Sequence, residues 1–521
     1  MSIPLPVFVA VPLVTAFLIP IVGSFGKKSE SFAALLANLA TIALLVLALD
    51  SIGQYRVYEI GRWSIPLGIN LVLDGLSSLM LLAVSLVSAA AMLFSVGYIG
   101  GFHFVLNRKA GTWQYTGKAK YLSLFLLMVA GMNGVVLSGD IFNLFVFLEI
   151  ASIASYALVG FGCDSEELEA SFKYMVLGSI ASIFILFAVA LVYGNTGSLN
   201  MAYISKAIQD SGLNVGLAFA LSLFIAGFGL KAALVPFHAW LPDAHPSAPA
   251  PISAMLSGIL IKTLGVYALV RVVFNIFGVS LSIGWLLIVL GLLSMVAGAF
   301  LAIGQWDFKR LLAYSSISQI GYVILGIGLG ATLIAKGANI AWASLAILGG
   351  LFHLVNHAVY KSLLFLTSGS VQMATGTRQL RQMGGLAEKM PVTRAACAVA
   401  SASIVGIPPF SGFWSKLILV IAAVQSGFYW LAAIIVGVSL GTLIMYLKIH
   451  RYAFLGELPE NLRQTKESSA SMLIAMIFLA CLCVFMGLLV IVPSLRAGLL
   501  DPAVKVLTDG LEYSAKIIVI H

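Results

Sequence analysis

Long apolar stretches alternate with short polar connections over the whole chain. A transmembrane helix needs about 20 mainly apolar residues, and a window of that length finds fourteen candidate spans. Their approximate bounds are 4–24, 31–50, 71–99, 121–139, 141–160, 171–194, 213–232, 249–272, 280–304, 310–330, 340–368, 392–418, 427–449 and 470–492. The longest connections, 100–120, 369–391 and 450–469, are too short for a separate soluble domain. The pattern predicts an all-α integral membrane protein with about fourteen transmembrane helices.

Two of the predicted spans are interrupted by proline. The seventh runs into Pro236, and the twelfth contains Pro408 and Pro409. Proline removes a backbone donor and clashes with the preceding turn, so each helix should break there. A lysine stands beside each break, Lys231 in the first and Lys416 in the second. Matched broken helices in the two halves of a chain are typical of inverted-repeat transporters, so we predict two inverted five-helix repeats.

This organisation divides the chain into four parts. Three N-terminal transmembrane helices and their loop occupy residues 1–120. The first repeat, helices four to eight, occupies 121–273, and the second, helices nine to thirteen, occupies 280–450. The last transmembrane helix and a C-terminal tail occupy 470–521.

Composition and charge placement fit a lipid environment. Of the 521 residues, 61% are hydrophobic and 9% are charged, whereas a soluble domain carries about 25% charged residues. Connections after odd-numbered helices hold seventeen of the 29 lysines and arginines, the opposite side holds eight, and four lie inside spans. Cytoplasmic loops are enriched in these residues. The net charge of +9 is therefore explained by loops rather than by nucleic acid, and we predict a multi-pass protein of the cell membrane with both termini outside.

Ionisable side chains inside the spans are the candidates for function. A charge at the bilayer centre costs roughly 2.5–3.5 kcal/mol on insertion scales. The spans nevertheless contain Glu149, Lys231, Lys262, His353, His357, Lys361 and Lys416. One acid cannot neutralise four lysines, so some of these groups must be able to exist uncharged. Groups poised between a charged and a neutral form can relay protons. For Lys361, which is near a helix end, a snorkelling side chain is an equally good interpretation.

The two histidines also raise the question of a metal. His353, His357 and Lys361 are four residues apart and form one helical stripe roughly 12 Å long. A histidine pair at this spacing can bind zinc, but the sequence His-Leu-Val-Asn-His lacks the HExxH glutamate, and no third ligand is near. The four cysteines form no CxxC pair. We therefore predict a relay, with no metal site and no cofactor.

Polar residues at helix ends are candidates for an entrance to the relay. They are Asp140, His238, Asp243 and His245. Asp140 begins a predicted helix, where an acidic cap on the helix dipole is the ordinary explanation. Asp243 and His245 follow the broken seventh span, and a simple turn role is equally compatible with their position.

Four stretches of the chain, at residues 139–149, 231–245, 309–321 and 353–361, combine the ionisable residues above with conspicuous polar and aromatic motifs. These stretches resemble a known family, the antiporter-like subunits of respiratory complex I, Mrp cation/proton antiporters and related membrane-bound hydrogenases and sulfur reductases. The resemblance implies the fourteen-helix inverted-repeat fold. It also implies proton-pathway roles for Glu149, Lys231, Lys262, the histidines of the eleventh span and the residue at position 416. Lys416 resembles the Mrp D-type and complex I N-type pattern, whereas M-type chains carry glutamate there.

These observations predict a proton-translocating, antiporter-like membrane subunit of a multisubunit ion-pumping complex. The chain is not expected to be catalytic by itself, although its complex can be an oxidoreductase of the NADH dehydrogenase or hydrogenase type. Expected partners are the lipid bilayer, other membrane subunits including further antiporter-like ones, and protons, with Na⁺ moving through the complex in an Mrp assembly. The alternative is a stand-alone secondary transporter of a solute, which would also have broken helices.

Overall fold

The protein is a bundle of long antiparallel helices. The computed structural model describes residues 4–23, 27–101 and 116–519, so most of the predicted 100–120 connection lies outside the described residues. Within these ranges, eleven helices are long and apolar enough to cross a membrane, and four shorter apolar helices accompany them. The predicted multi-pass helical membrane fold is confirmed.

The helices and strands follow one another in a simple order. The helices are α1 (Val7–Gly23), α2 (Lys27–Asp50), α3 (Gly75–Gly101), α4 (Thr116–Leu137), α5 (Ile141–Val159), α6 (Ser165–Thr196), α7 (Met201–Ser211), α8 (Val215–Lys231), α9 (Leu241–Ser247), α10 (Ala250–Met255), α11 (Ala268–Val270), α12 (Leu281–Ile303), α13 (Phe308–Ala335), α14 (Ile340–Thr375), α15 (Pro391–Val405), α16 (Ser411–Gln425), α17 (Tyr429–Ile449), α18 (Ala470–Phe485), α19 (Leu488–Ile491), α20 (Pro493–Thr508) and α21 (Glu512–Val519). The strands are β1 (Arg56–Glu59) and β2 (Asn70–Leu73).

The helix in the middle of the bundle is π-helical over most of its length. It runs continuously over Ala250–Phe277 and joins α10 and α11 to π-helical segments at Leu256–Tyr267 and Arg271–Phe277. Its residues are buried throughout, and Lys262 lies within the first π-helical segment. Such widened turns are rare and frequently mark functional sites.

Strands β1 and β2 form an addition that the hydrophobic pattern did not predict. They pair antiparallel, with Arg56 opposite Leu73 and Glu59 opposite Asn70. The predicted third span began at residue 71, but the helix begins only at Gly75. All four β2 residues are buried, and a short buried strand has the same apolar composition as the first turn of a buried helix.

The two ends of the bundle can be named from α5 and α6. The Asp140 side chain caps α5 by accepting a bond of 2.7 Å from the backbone N–H of Asn143. At the other end of α5 the chain turns, and Asp164 and Glu167 form a capping box at the start of α6. We call these two ends the Asp140 end and the Asp164 end.

Both predicted helix breaks are present. Helix α8 ends at Lys231 and α9 begins at Leu241, with Pro236 between them. Likewise α15 ends at Val405 and α16 begins at Ser411. Backbone groups freed at membrane depth must find partners inside the protein. In the first break, the backbone N–H of Val235 donates to the Ser294 hydroxyl of α12 at 2.9 Å.

Replacing Ser294 with alanine should therefore destabilise the first break. The partly buried Val235 N–H would lose its partner, and an unsatisfied donor costs about 1–3 kcal/mol where it is fully buried, so we expect the lower part of that range. We expect a lower thermal unfolding midpoint for the purified Ser294→Ala protein in detergent. Ser222→Ala is the matched control, because the exposed Ser222 hydroxyl donates within its own helix, to Ala218 O at 3.0 Å. An equal decrease in both variants would contradict this role of Ser294.

A buried ion pair closes the Asp140 end. The Arg271 guanidinium lies 2.6 Å from both carboxylate oxygens of Asp74, and the two side chains are only 4% and 1% exposed. The pair joins the Ala250–Phe277 helix to the start of α3. The predicted span 249–272 contained Arg271 near its end, and the helix extends five residues further, to Phe277.

Candidate functional site

Glu149 and Lys231 meet between α5 and α8. Glu149 lies in the middle of α5, and Lys231 is the last residue of α8 before the first break. Lys231 Nζ is 3.6 Å from Glu149 Oε1, with side-chain exposures of 4% and 27%. The chain therefore places an acid and a base in contact at a point where the helix backbone is interrupted.

Hydroxyl groups surround this ion pair. Lys231 Nζ donates to Ser152 Oγ at 2.9 Å and to Tyr156 Oη at 3.2 Å. The Ser182 hydroxyl donates to Glu149 Oε1. Glu149 and Lys231 thus each have a hydroxyl partner in addition to their contact with one another. The 3.6 Å between Lys231 Nζ and Glu149 Oε1 is longer than a direct hydrogen bond. The carboxylate and the ammonium can therefore separate without leaving either group unpaired, which a movable ion pair requires.

Lys262 is the innermost lysine of the site. Its side chain is 0% exposed, and its ammonium donates to the backbone oxygen of Ser257 at 2.5 Å. The Ser257 hydroxyl is in turn 2.7 Å from the hydroxyl of Ser316 on α13. The lysine bonds to a neutral carbonyl, and among the described residues no carboxylate forms an ion pair with it.

Glycines bring the Lys262 helix close to its neighbours on two sides. A Cβ on Gly265 would collide with the backbone of Ala232, the residue after Lys231. A Cβ on Gly258 would collide with the Ser362 hydroxyl of α14. Lys262 lies between these two contacts in sequence. It therefore occupies the segment that connects the first break with α14.

The α14 stripe predicted from the sequence is buried in full, with His353, His357 and Lys361 each 0% exposed. His353 Nδ1 is 2.9 Å from Ser415 Oγ, and His353 Nε2 is 3.1 Å from Gln319 Oε1. The stripe therefore reaches α16 at the residue that precedes Lys416.

His357 differs from His353 in its contacts. Neither of its ring nitrogens has a hydrogen-bond partner among the described residues. Its ring centre is 5.5 Å from that of Tyr360, and the charges of Lys262, Lys361, His353 and His245 act on it electrostatically. His357 thus lies where the lysine of the Ala250–Phe277 helix meets the α14 stripe.

Lys361 bonds inside the protein. Its ammonium donates to Ser315 Oγ at 2.5 Å and to Tyr446 Oη at 3.3 Å. A snorkelling lysine would instead extend its head group to the membrane surface. The structure therefore favours an interior position of the Lys361 ammonium over the snorkelling side chain that the sequence left open.

Lys416 closes the second break. Its ammonium donates to the carbonyl oxygens of Ile404 and Val405, at 2.8 and 3.0 Å, which are the last residues of α15. The same ammonium lies 5.1 Å from the centre of the Tyr322 ring. A cation at a helix C-terminus is favoured by the helix dipole, so Lys416 also stabilises the broken end.

Asp243 lines an open cavity of about 770 Å³ at the Asp164 end. Its carboxylate lies 3.1 Å from Lys173 Nζ and 3.5 Å from Arg310 Nη2. The cavity is also lined by Glu166 and Arg378, which form an ion pair at 3.2 Å. Asp243 is therefore positioned at a surface opening, as an entrance residue would be.

The other three entrance candidates lie elsewhere. His245 is 0% exposed, inside the protein, and His238 is half-buried in the first break. Asp140 lies at the Asp140 end, where it caps α5 and where burial raises the pKa of its carboxyl group. Asp140 and Asp243 are at opposite ends of the bundle and cannot share one entrance.

A family model described as "NADH:quinone oxidoreductase/Mrp antiporter, TM" matches residues 138–442, which include every candidate relay residue. A second model, "NADH-Ubiquinone oxidoreductase (complex I), chain 5 N-terminus", matches residues 59–102. The first match covers more than half of the chain. The chain belongs to the NADH:quinone oxidoreductase/Mrp antiporter transmembrane family.

Individual family members are similar over most of their length. The chain is 33% identical to the D-type subunit of the Na⁺/H⁺ antiporter of Alkalihalophilus pseudofirmus, covering 91% of this chain and 93% of the relative. It is 34% identical to the N-type subunit of the NADH-quinone oxidoreductase of Desulforudis audaxviator, covering 88% and 86%. A chain of the Mrp complex from Dietzia sp. DQ12-45-1b superimposes with a TM-score of 0.83 at 29% identity, covering 99% of both chains.

Some polar residues of the candidate site escaped the sequence prediction. Ser152 and Tyr156 follow Glu149 by three and seven residues, so their helical spacing could have placed them on its face. Lys309 was counted in a connection because the predicted span began at residue 310. In the structure Lys309 belongs to the first turn of α13 and is only 2% exposed. Among the described residues, no group of three or more histidines, cysteines or acids is arranged to hold a metal ion.

Proposed function

We propose that the chain is the proton-translocating, antiporter-like subunit of a multisubunit ion-pumping membrane complex. The observation that carries this proposal is the contact between Glu149 and Lys231 at a helix break, continued by further buried ionisable residues. Buried ionisable groups inside a membrane protein are expensive and are typical of proton relays.

The relay has a first half centred on Lys231. A proton held by Lys231 can pass towards Lys262, because Gly265 brings the two helix segments into contact beside Ala232. Separation of the carboxylate of Glu149 from the ammonium of Lys231 favours release of that proton, because a buried charge without a counter-charge is costly. Glu149 is therefore the switch of the first half.

The second half runs along α14 to the second break. His353 lies one helical turn before His357 on α14, and the charge of Lys262 acts on His357. His353 contacts Ser415, the residue before Lys416, at 2.9 Å. Histidine gives and accepts protons near neutral pH, so this stripe connects the lysine in the middle of the bundle with the lysine at the second break. Lys361 lies beside this line.

The membrane topology follows the same proposal. We count the eleven long apolar helices, α1 and the broken pairs α8–α9 and α15–α16 as fourteen membrane crossings within the described residues. We assign the two inverted repeats to 121–273 and 280–450, flanked by 1–120 and 470–521. The Asp164 end is assigned to the cytoplasm and both termini to the outside, in line with the lysine and arginine distribution.

Other membrane subunits complete the complex. The relatives named above are D-type and N-type components of larger assemblies, which favours further antiporter-like chains as neighbours. Protons are the ions that this chain moves, because lysine and histidine offer no oxygen ligands to a hard cation such as Na⁺. Sodium exchange, where the complex performs it, then uses another of its chains.

The experiment compares two lysine variants of the complex in sealed vesicles. Lys416→Met removes a charge from the proposed relay, whereas Lys466→Met removes a charge from the exposed connection before α18. Proton flux is read from the pH change inside the vesicles. We expect this flux to fall about 100-fold in Lys416→Met, which is at the low end of the effect of losing a positioned proton-transfer group. The flux should be unchanged in Lys466→Met. Unchanged proton flux in Lys416→Met would contradict the proposal. Uptake of a solute by the purified chain alone would favour a stand-alone transporter.

A further inference from the structure

Lys309 is a buried lysine that the line from Glu149 to Lys416 does not use. Its ammonium donates to the backbone oxygen of Ala248 at 2.9 Å. The residue also lines a cavity of about 560 Å³ at the Asp164 end, together with Glu167 and Arg378. Lys309 thus has its charged group in the interior and contact with a cavity that opens to solvent.

His245 lies on the inner side of Lys309. It is 0% exposed, and neither ring nitrogen has a hydrogen-bond partner among the described residues. Its ring centre is 5.0 Å from that of Phe365 on α14. Lys361 Nζ lies 5.9 Å from the centre of the same Phe365 ring, and Lys309 bonds to Ala248, three residues after His245. The positive charges of Lys361, Lys262 and Lys309 act on His245, so this histidine lies between the segment that holds the cavity lysine and the buried lysines of the relay.

Unpartnered nitrogens in this position point to a wet interior. Buried polar groups are almost always hydrogen-bonded to protein or to ordered water. A neutral imidazole needs one donor and one acceptor, and water can supply both where the surroundings are polar. His245 and the neighbouring His357, whose ring nitrogens also lack partners among the described residues, therefore mark a hydrated stretch that leads inward from Lys309.

We propose that Lys309 and His245 form the arm through which protons pass between the cavity at the Asp164 end and Lys262 in the middle of the relay. In each transfer, the ammonium of Lys309 gives a proton to His245 through water, and the resulting amine is reprotonated by a proton from the bulk solvent, which reaches it through the water of the cavity. The imidazole then passes its proton towards Lys262. The inference rests on the proposed function, because it assigns the entrance of the same relay.

A purely structural role for Lys309 is the main alternative. Its bond to Ala248 O satisfies a carbonyl that follows α9, and a fixed cation would serve that purpose equally well. Arginine distinguishes the two roles. Lys309→Arg keeps the charge and the donors, but the guanidinium does not release a proton in proteins. A structural role tolerates this change, whereas a proton-transfer role does not.

The experiment measures proton flux by the assembled complex in sealed vesicles. The variants are Lys309→Arg, Lys309→Met, His245→Gln, the double variant Lys309→Arg/His245→Gln, and Glu149→Gln. Lys336→Arg is the matched control, because Lys336 is exposed at the opposite end of the same helix. Assembly of each variant complex is checked by its yield and by its thermal unfolding midpoint.

We expect proton flux to fall on the order of tenfold in Lys309→Arg and in His245→Gln. This decrease is smaller than the roughly 100-fold typical for loss of a positioned acid or base, because water can partly replace each group. The double variant should lose no more than the worse single variant, since the two groups act in series. In His245→Ala, imidazole added on the side of the cavity should restore part of the flux, and this variant also serves if His245→Gln assembles poorly.

Normal flux in both Lys309→Arg and His245→Gln, with flux lost in Glu149→Gln, would overturn the arm and leave the proposed function standing. Normal flux in Glu149→Gln as well would overturn the proposed function itself. Loss of flux in Lys309→Met with normal flux in Lys309→Arg would make Lys309 a structural cation and would also overturn the arm.

Discussion

Replacing Glu149 with glutamine should remove nearly all proton translocation while the complex still assembles. Glutamine has the same size as glutamate and can still accept a bond from the Ser182 hydroxyl, so packing between α5 and α6 is retained. The change removes the carboxylate that lies 3.6 Å from Lys231 Nζ. Lys231 then has only the neutral hydroxyls of Ser152 and Tyr156 as described partners, and the buried ammonium loses its counter-charge.

The expected decrease in flux is about 100-fold or more, as for loss of a positioned acid or base. The measurement is ion flux per turnover of the partner subunits in vesicles. Glu149→Asp keeps the charge with a shorter side chain, so it should retain part of the flux. Glu169→Gln, an exposed acid that forms a surface ion pair with Lys173, is the matched control and should be nearly neutral. Equal flux in wild type and Glu149→Gln would reduce Glu149 to a structural acid.

The helix breaks were predictable because proline acts locally. Pro236 interrupts a helix for reasons that need no knowledge of its neighbours, and the same holds for the pair Pro408–Pro409. The lysines beside these prolines were predictable for a related reason, since a charge in an apolar stretch is visible in the sequence. The helical stripe from His353 to Lys361 follows from a spacing of four residues.

Contacts between distant segments were not predictable from these patterns. Nothing local shows that Arg271 meets Asp74, 197 residues away, or that Ser294 satisfies the backbone of the first break. Lys309 was assigned to a connection because a window of about 20 residues fixes a helix end only approximately. In each case the sequence does not reveal the tertiary partner of the residue. For Lys309, that partner is the reason that a charge assigned to a loop is in fact buried.

The entrance residues show the same limit in another form. Asp140 and Asp243 both follow from polar positions at helix ends, yet they lie at opposite ends of the bundle. The end of the bundle at which each of these two residues lies depends on the path of every helix between them. The interior position of His245 and its neighbours Lys262 and Lys309 depends on how α9 packs against α13, and the sequence pattern contains no signal for that packing.

Replacing Lys262 with methionine should interrupt proton translocation and, at the same time, leave the protein at least as stable as wild type. Methionine has a similar length without a charge, so the space between the first break and α14 stays filled. Lys262 bonds only to the Ser257 carbonyl in its described hydrogen bonds, and a buried charge without a carboxylate partner stabilises little or nothing. Its retention at 0% exposure is therefore explained by function rather than by folding.

Two measurements on the same purified complex test this prediction. Proton flux in vesicles should fall about 100-fold, and the thermal unfolding midpoint should stay equal or rise. Lys206→Met, a change at an exposed lysine of α7, is the matched control and should alter neither quantity. Lys262→Arg separates charge from proton release, because arginine keeps the positive charge but does not give up its proton, and flux should be lost in that variant too. A strongly lowered midpoint in Lys262→Met with normal flux in the remaining folded complex would show that Lys262 is a structural residue, and the relay would then need another route from Lys231 to His357.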